Sequence, residues 1–145
     1  MTSIQIIVGT VMGSAQACAE LAQTQLQQQF DVTLNSAFSR DDLQKSDVIL
    51  ICTSNTGVGD LPSNIVPFYR VLIEEYPAIA GMRYGLINLG DSNYPSFGEA
   101  GQKLDVAMSE LGAQRIGEPL VLDASDPAQR DSLLLNWLAQ WVEQL

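Results

Sequence analysis

Apolar positions in this chain follow two rhythms that alternate from one end to the other. Short apolar runs read as strands, and apolar residues spaced three and four apart read as one-sided helices. SIQIIVG, Ser3–Gly9, is the first strand. Ala15, Cys18, Ala19, Ala22, Leu26 and Phe30 then form one stripe, which predicts a helix over residues 14–30. DVTLNS follows as an alternating strand with Val32 and Leu34 on one face. SRDDLQKSD has room for a short helical turn with Ser39 as its N-cap. DVILIC, residues 47–52, is apolar without alternation, as in a strand covered on both faces of a parallel sheet.

Ile65, Phe68, Tyr69, Leu72, Ile73 and Tyr76 predict the next helix, with Pro62 in its first turn and Pro77 and Gly81 ending it. RYGLINLG, Arg83–Gly90, is the fourth strand. Leu104, Ala107, Met108 and Leu111 mark a further helix capped by Gly112. AQRIGEPLVLD contains the fifth strand. Asp126 and Pro127 open the last helix, which carries Leu134, Trp137, Leu138, Trp141, Val142 and Leu145 on one side. Its tryptophans read as core packing rather than as a ligand box. Alternation of this kind in 145 residues implies one α/β domain, 1–145, with a parallel sheet, right-handed crossovers and helices on both faces. Ligands of such sheets sit beyond the carboxyl ends of the strands, where the strand order reverses.

Composition narrows the chemistry. The apolar fraction is 46%, the charged fraction 17%, and no apolar run approaches membrane-spanning length. The opening MTSIQIIV lacks a secretion signal, so a cytoplasmic location is expected. Histidine is absent, which removes His-based triads, His-based zinc sites and the usual general base near neutral pH. The net charge is −10, with two lysines and five arginines, so no basic face for nucleic acid can be assembled. An acidic protein of this kind prefers a basic partner. Cys18 and Cys52 read as two buried thiols rather than a disulfide.

Three loops follow three of the strands. The first, GTVMGSAQ, runs from Gly9 into a helix that begins near Ser14. Unpaired helix amides, the positive end of the helix dipole and the hydroxyls of Thr10 and Ser14 would suit a phosphate. The lysine of a nucleoside-triphosphate loop is missing, and so is the GxGxxG pattern. A plain strand-to-helix turn is the other reading. The second loop, TSNTGVGDLPSN, has almost no side-chain bulk. The third, LGDSNYPSFG, places Tyr94 and Phe97 in a polar setting. Tyr94, restrained by Pro95, suits a platform for a planar ligand, and Phe97 suits packing beneath it.

Taken together, the three loops resemble those of the flavodoxins, over essentially the whole chain, and in particular their short-chain group with the YqcA-like and MioC-like members. The family's phosphate loop, roughly [ST]-x-T-G-x-[TSA], is matched by Thr10, Val11, Met12, Gly13, Ser14 and Ala15. The second motif, aromatic-G-x-G-[DE] with a later polar pair, is matched by Thr56, Gly57, Val58, Gly59 and Asp60, with Ser63 and Asn64 beyond. The third, G-[DN]-x-x-Y-x-x-F, is matched by Gly90, Asp91, Ser92, Asn93, Tyr94, Pro95, Ser96 and Phe97.

The resemblance implies a three-layer doubly wound fold with a five-stranded parallel sheet in the order 2-1-3-4-5. That order and the place of the flavin at the switch between strands one and three are the family's own. It also implies flavin mononucleotide (FMN) as cofactor and single-electron shuttling without substrate chemistry. The implied cofactor-binding set is Thr10, Val11, Met12, Gly13, Ser14, Ala15, Thr53, Ser54, Asn55, Thr56, Gly57, Leu89, Gly90, Asp91, Tyr94, Phe97 and Gly98. Met12 stands where a threonine is usual, removing one hydroxyl. Thr56 stands where an aromatic usually stacks on the inner face of the ring, which leaves Tyr94 as the stacking residue.

By the same resemblance, a peptide bond at Gly57 turns over on one-electron reduction, so that its carbonyl accepts the hydrogen on flavin N5. The β-branched Val58 makes the turned state harder to reach. Asp60, Asp91 and Asp123 oppose the second electron. One charge about 8 Å away costs roughly 2 kcal/mol at an effective dielectric near 20, on the order of 90 mV. The implied partners are a ferredoxin/flavodoxin-NADP reductase-type donor and an acceptor enzyme with a basic docking face, with no nucleic acid and no membrane; a monomer is expected.

Three other readings are available. A signalling receiver domain needs an acidic pair after strand one and an aspartate ending strand three, where Gly9-Thr10 and Thr53-Ser54 stand. A flavin-dependent NAD(P)H or quinone oxidoreductase would show a second nucleotide fingerprint, and none is visible. A flavodoxin-like interaction module that has lost FMN is suggested by Met12 and Thr56.

Overall fold

A computed structural model describes residues 2–11, 13–55, 60–90, 98–123 and 126–145. Its elements are β1 (Ser3–Gly9), α1 (Ser14–Leu26), β2 (Asp31–Asn35), a 3-10 turn (Arg40–Asp42), β3 (Val48–Ser54) and α2 (Val66–Glu75), followed by β4 (Arg83–Gly90), α3 (Glu99–Glu110), β5 (Gln114–Arg115), β6 (Leu120–Asp123) and α4 (Pro127–Glu143). Among the described residues every strand pairing is parallel, and the sheet order is β2-β1-β3-β4-β5, with β6 also paired to β4. The predicted fifth strand is therefore two short segments on one edge. Gly117, at φ +75°, and Pro119 lie between them. A proline cannot donate to the ladder, and a left-handed residue breaks the pleat.

The sheet's two faces carry separate cores. Ile4, Ile6, Val8, Leu50, Cys52, Ile87, Leu89 and Leu122 pack with α1 and α4. Ile7, Ile49, Ile51, Tyr84 and Leu86 pack with α2 and α3. Strand alternation sends successive residues to opposite faces, and both faces are covered, which explains why the central strands read as unbroken apolar runs. Trp141 is 1% exposed and fills the space above Gly85, where an added Cβ would lie 2.7 Å from the indole. Trp137 stacks on Trp141 at 5.5 Å and donates from Nε1 to the Glu118 carbonyl. Core packing of the tryptophans is as expected.

Several boundaries differ from the sequence reading. α1 ends at Leu26 rather than at residue 30, and residues 27–29 form a turn. α2 begins at Val66, with Pro67 rather than Pro62 in its first turn; the Pro62 carbonyl instead accepts from the Ile65 amide. Ile73 and Tyr76 are exposed, while Val71 is buried. Tyr76 has already left the helix, at φ +46°, so extending the stripe to it overran the element.

The other caps are as read. Gly112 follows α3 at φ +82° and accepts from the Gly81 amide. Asp126 accepts the Gln129 amide at the start of α4. Ser39 opens the 3-10 turn, donating from its amide and hydroxyl to Asp42. The backbone bond from Ser39 foremost, then an amide bond from Asn35, hold the Asp42 carboxyl down at about 2.

Candidate functional site

Register brings the carboxyl ends of four strands into one row. Gly9 lies beside Thr53, Thr53 beside Asn88, and Asn88 beside Val121. Gly9 has to be glycine: a Cβ there would stand 2.5 Å from Thr53 Oγ1 and 2.8 Å from Ile65. Thr53 is fully buried and donates from its hydroxyl to the Ser54 carbonyl. Ser54 reaches the Gly9 carbonyl at 3.5 Å, joining the first and second loops. The site thus begins where the apolar layers end.

The first loop is drawn into a tight shape. Thr10 Oγ1 accepts the Gly13 amide at 3.0 Å, and Gly13 turns the chain at φ +92° into α1. Gly13 N-caps the helix without a side chain to offer, and no acidic residue occupies the first turn. The first intrahelical bond runs from Ala17 to the Gly13 carbonyl. The amides of Ser14, Ala15 and Gln16 therefore have no acceptor within the helix, at the positive end of its dipole. Val11 and Gly13 are exposed, Ser14 half-buried and Ala15 buried. An anion at this end would meet backbone donors and the Thr10 and Ser14 hydroxyls.

Asn64 holds that loop in place. Its Oδ1 accepts the Thr10 amide at 2.9 Å, and its Nδ2 donates to the carbonyls of Val8 at 2.9 Å and Ser36 at 3.1 Å. One side chain ahead of α2 thus ties the first loop to the ends of β1 and β2. In the sequence Asn64 stood only as half of a polar pair; its role depends on three segments that only folding brings together.

At the second and third loops, Asn55 follows β3 and donates its amide to the Leu89 carbonyl at 3.1 Å. Leu89 is buried under the site and Gly90 half-buried at its edge. Gly98, at φ +87°, starts α3. Met12, Thr56, Gly57, Val58, Gly59 and Asp91 lie outside the described residues, as do Tyr94 and Phe97 with the rest of their loop. Asp60 is exposed and pairs with Lys103 at 3.5 Å. That cation would offset part of the charge assigned to Asp60. Asp123 ends β6 beside Gly90.

The two cysteines offer no alternative chemistry. Cys18 and Cys52 are buried free thiols; burial raises the first to about 11 and the second further, and both are inert at neutral pH. Among the described residues there is no cluster of metal-ligating side chains and no helix long and apolar enough to cross a membrane.

A doubly wound parallel sheet with an anion-ready helix start at its switch point defines the class of protein: an α/β binding module with its ligand at the strand ends. Comparison with known proteins gives the family. The flavodoxin family model matches residues 6–137. The chain is 36% identical to flavodoxin YqcA of Pectobacterium carotovorum, over 99% of this chain and 97% of that one. A solved variant of a flavodoxin from Pseudomonas aeruginosa superposes with a TM-score of 0.91 at 32% identity, covering 99% of this chain and 98% of the other. A Fusobacterium nucleatum flavodoxin solved with flavin mononucleotide has the same fold, with a TM-score of 0.86 at 16% identity over 100% of this chain and 99% of that one. The chain belongs to the flavodoxin family.

Proposed function

We propose that this protein binds FMN at the strand ends and carries single electrons between a reductase and acceptor enzymes. The observation that carries this reading is the open start of α1: three amides without helical acceptors, no acid in the first turn, and a loop shaped by Thr10, Gly13 and Asn64. Membership of the flavodoxin family supplies the identity of the anion's owner.

On this reading the amides of Ser14, Ala15 and Gln16, with the hydroxyls of Thr10 and Ser14, bind the phosphate. Val11 and Met12 line the turn around it. Thr53, Ser54 and Asn55 would border one side of the ring and Leu89, Gly90, Asp91 and Gly98 the other, with Tyr94 as the stacking residue and Phe97 as its support. Thr56 offers a methyl and a hydroxyl to the inner face. When bound, FMN supplies one-electron redox chemistry that the side chains here lack. The peptide at Gly57 would offer its carbonyl to the proton at flavin N5, since glycine tolerates the positive φ that this requires. The acidic surface docks basic faces of a ferredoxin/flavodoxin-NADP reductase-type donor and of an acceptor, as a monomer in the cytoplasm.

The test is the visible spectrum of the purified protein, before and after addition of FMN and desalting. The two bands of oxidised flavin, travelling with the protein, are expected. A colourless protein after reconstitution would contradict the reading.

A further inference from the structure

Asn88 is a buried amide in the middle of a sheet, 1% exposed, in a strand otherwise apolar from Tyr84 to Leu89 apart from Gly85. Such a group is costly unless its bonds are made. Its Oδ1 accepts the Gly101 amide at 2.6 Å. Its Nδ2 faces the Leu89 carbonyl at 3.1 Å, Asn55 Oδ1 at 3.2 Å and the Thr53 carbonyl at 3.4 Å. Asn55 Oδ1 in turn accepts the Ala100 amide at 3.1 Å. Two side-chain amides from β4 and the β3 end thus occupy two of the first-turn donors of α3, a helix whose own N-cap, Gly98, has no side chain. Gly101 fits the arrangement closely: a Cβ there would stand 2.5 Å from Asn88 Oδ1.

The place of this network gives it a purpose. Asn55 is two residues before Gly57, at the entry to the second loop. Gly98 to Gly101 is where the chain returns from the third loop, which carries Tyr94 and Phe97. We propose that Asn88 is a positioning residue for the flavin: with Asn55 it clamps the entry of the second loop to the exit of the third, and so fixes the spacing between the two loops that border the ring. This rests on the FMN reading above. A cap needed only to stabilise α3 could come from Ser or Asp at its own N-cap. Here the cap comes from across the ligand site, so the same bonds that end the helix also join the loops.

The test compares the wild type with Asn88→Ala, Asn88→Asp, Asn55→Ala and the Asn55→Ala/Asn88→Ala pair. Asn88→Asp keeps an acceptor for Gly101 but loses the donors toward Thr53, Asn55 and Leu89. Tyr84→Phe is the control; it removes a hydroxyl bonded to Asp105 at 2.6 Å, at the opposite end of the same strand. Three quantities are read on folded protein: FMN affinity by flavin fluorescence quenching, the first-electron midpoint potential, and apoprotein unfolding.

The clamp predicts about tenfold weaker FMN binding in Asn88→Ala and Asn88→Asp, or about 1.4 kcal/mol. A shifted first-electron potential should accompany it, and Asn55→Ala should move both in the same direction. The pair should lose less than the sum of its members. Tyr84→Phe should lower stability alone. Unchanged affinity and potential in the Asn88 and Asn55 variants, or fully additive losses in the pair, would overturn the clamp while leaving the FMN reading intact. A wild type that binds no FMN overturns both.

Discussion

Two helices start at this site with the same local design and opposite outcomes. α1 and α3 both begin after a glycine in the left-handed region, Gly13 at φ +92° and Gly98 at φ +87°, and neither cap has a side chain of its own. At α3 the Ala100 and Gly101 amides are taken by Asn55 and Asn88, and Glu99 adds a carboxylate to the first turn. At α1, among the described residues, no side chain accepts from a first-turn amide, and no acid is present in the first turn. An unmet helix start is a cost in a protein with no ligand and a binding site in one with an anion. On the FMN reading, the difference between the two starts assigns α1 to the charged guest and α3 to the frame.

The sharpest way to break this comparison is to give α1 the carboxylate that α3 has. Ser14→Glu would place a negative charge about 5 Å from a bound phosphate, costing about 3 kcal/mol at an effective dielectric near 20. FMN titration should show roughly a hundredfold loss. Apoprotein unfolding should show unchanged or slightly raised stability, because an acid suits a helix N-terminus. Loss of both stability and affinity would mean that the substitution merely damages the loop.

Gly101→Ala probes the other helix. The added Cβ would meet Asn88 Oδ1 at 2.5 Å and displace the cap. Overpacking of this kind costs about 1–3 kcal/mol, and urea unfolding should register it in the apoprotein. An unchanged midpoint would show that the cap yields without loss. At the ring, Tyr94→Ala should weaken FMN binding by about 1–2 kcal/mol, and Thr56→Ala by much less. Equal losses, read by the same titration, would contradict the one-platform picture.

The smallest effect lies away from both helices. Asp42 is held at about 2, chiefly by the Ser39 amide and next by Asn35, below its usual 3.8. A carboxyl depressed on folding stabilises the protein above its unfolded value, and that contribution is lost as pH falls from about 4 toward about 2. Asp42→Asn should therefore lower stability by about 1–2 kcal/mol at neutral pH, with the gap to wild type closing across that window. FMN affinity should be unchanged. A constant gap through the acid range would show that the carboxylate charge is not what Ser39 and Asn35 stabilise.

The alternation of strands and helices, and the place of all three loops, could be read from residue spacing because each depends on a local period and a nearby glycine or proline. Errors came where a period runs past its element. The stripe from Ile65 continues to Tyr76 in the sequence, yet the helix stops at Glu75, and Pro67, inside the stripe, was the first-turn proline. The division of the last strand turns on Gly117 and Pro119, which a pattern of apolar residues does not weigh. The tight turn of the first loop was legible from its glycine and hydroxyls. Asn64 and Asn88 were not legible in these roles, since each joins segments far apart in the chain. In the sequence, Asn88 is only a polar interruption in RYGLINLG.

On the FMN reading, α1's open start exists for the phosphate of FMN. Parallel titrations of the apoprotein with FMN and with riboflavin, which lacks the phosphate, test it directly. The account predicts that FMN binds at least about a hundredfold tighter, a difference of about 2.8 kcal/mol or more. Equal affinities for the two flavins would contradict it.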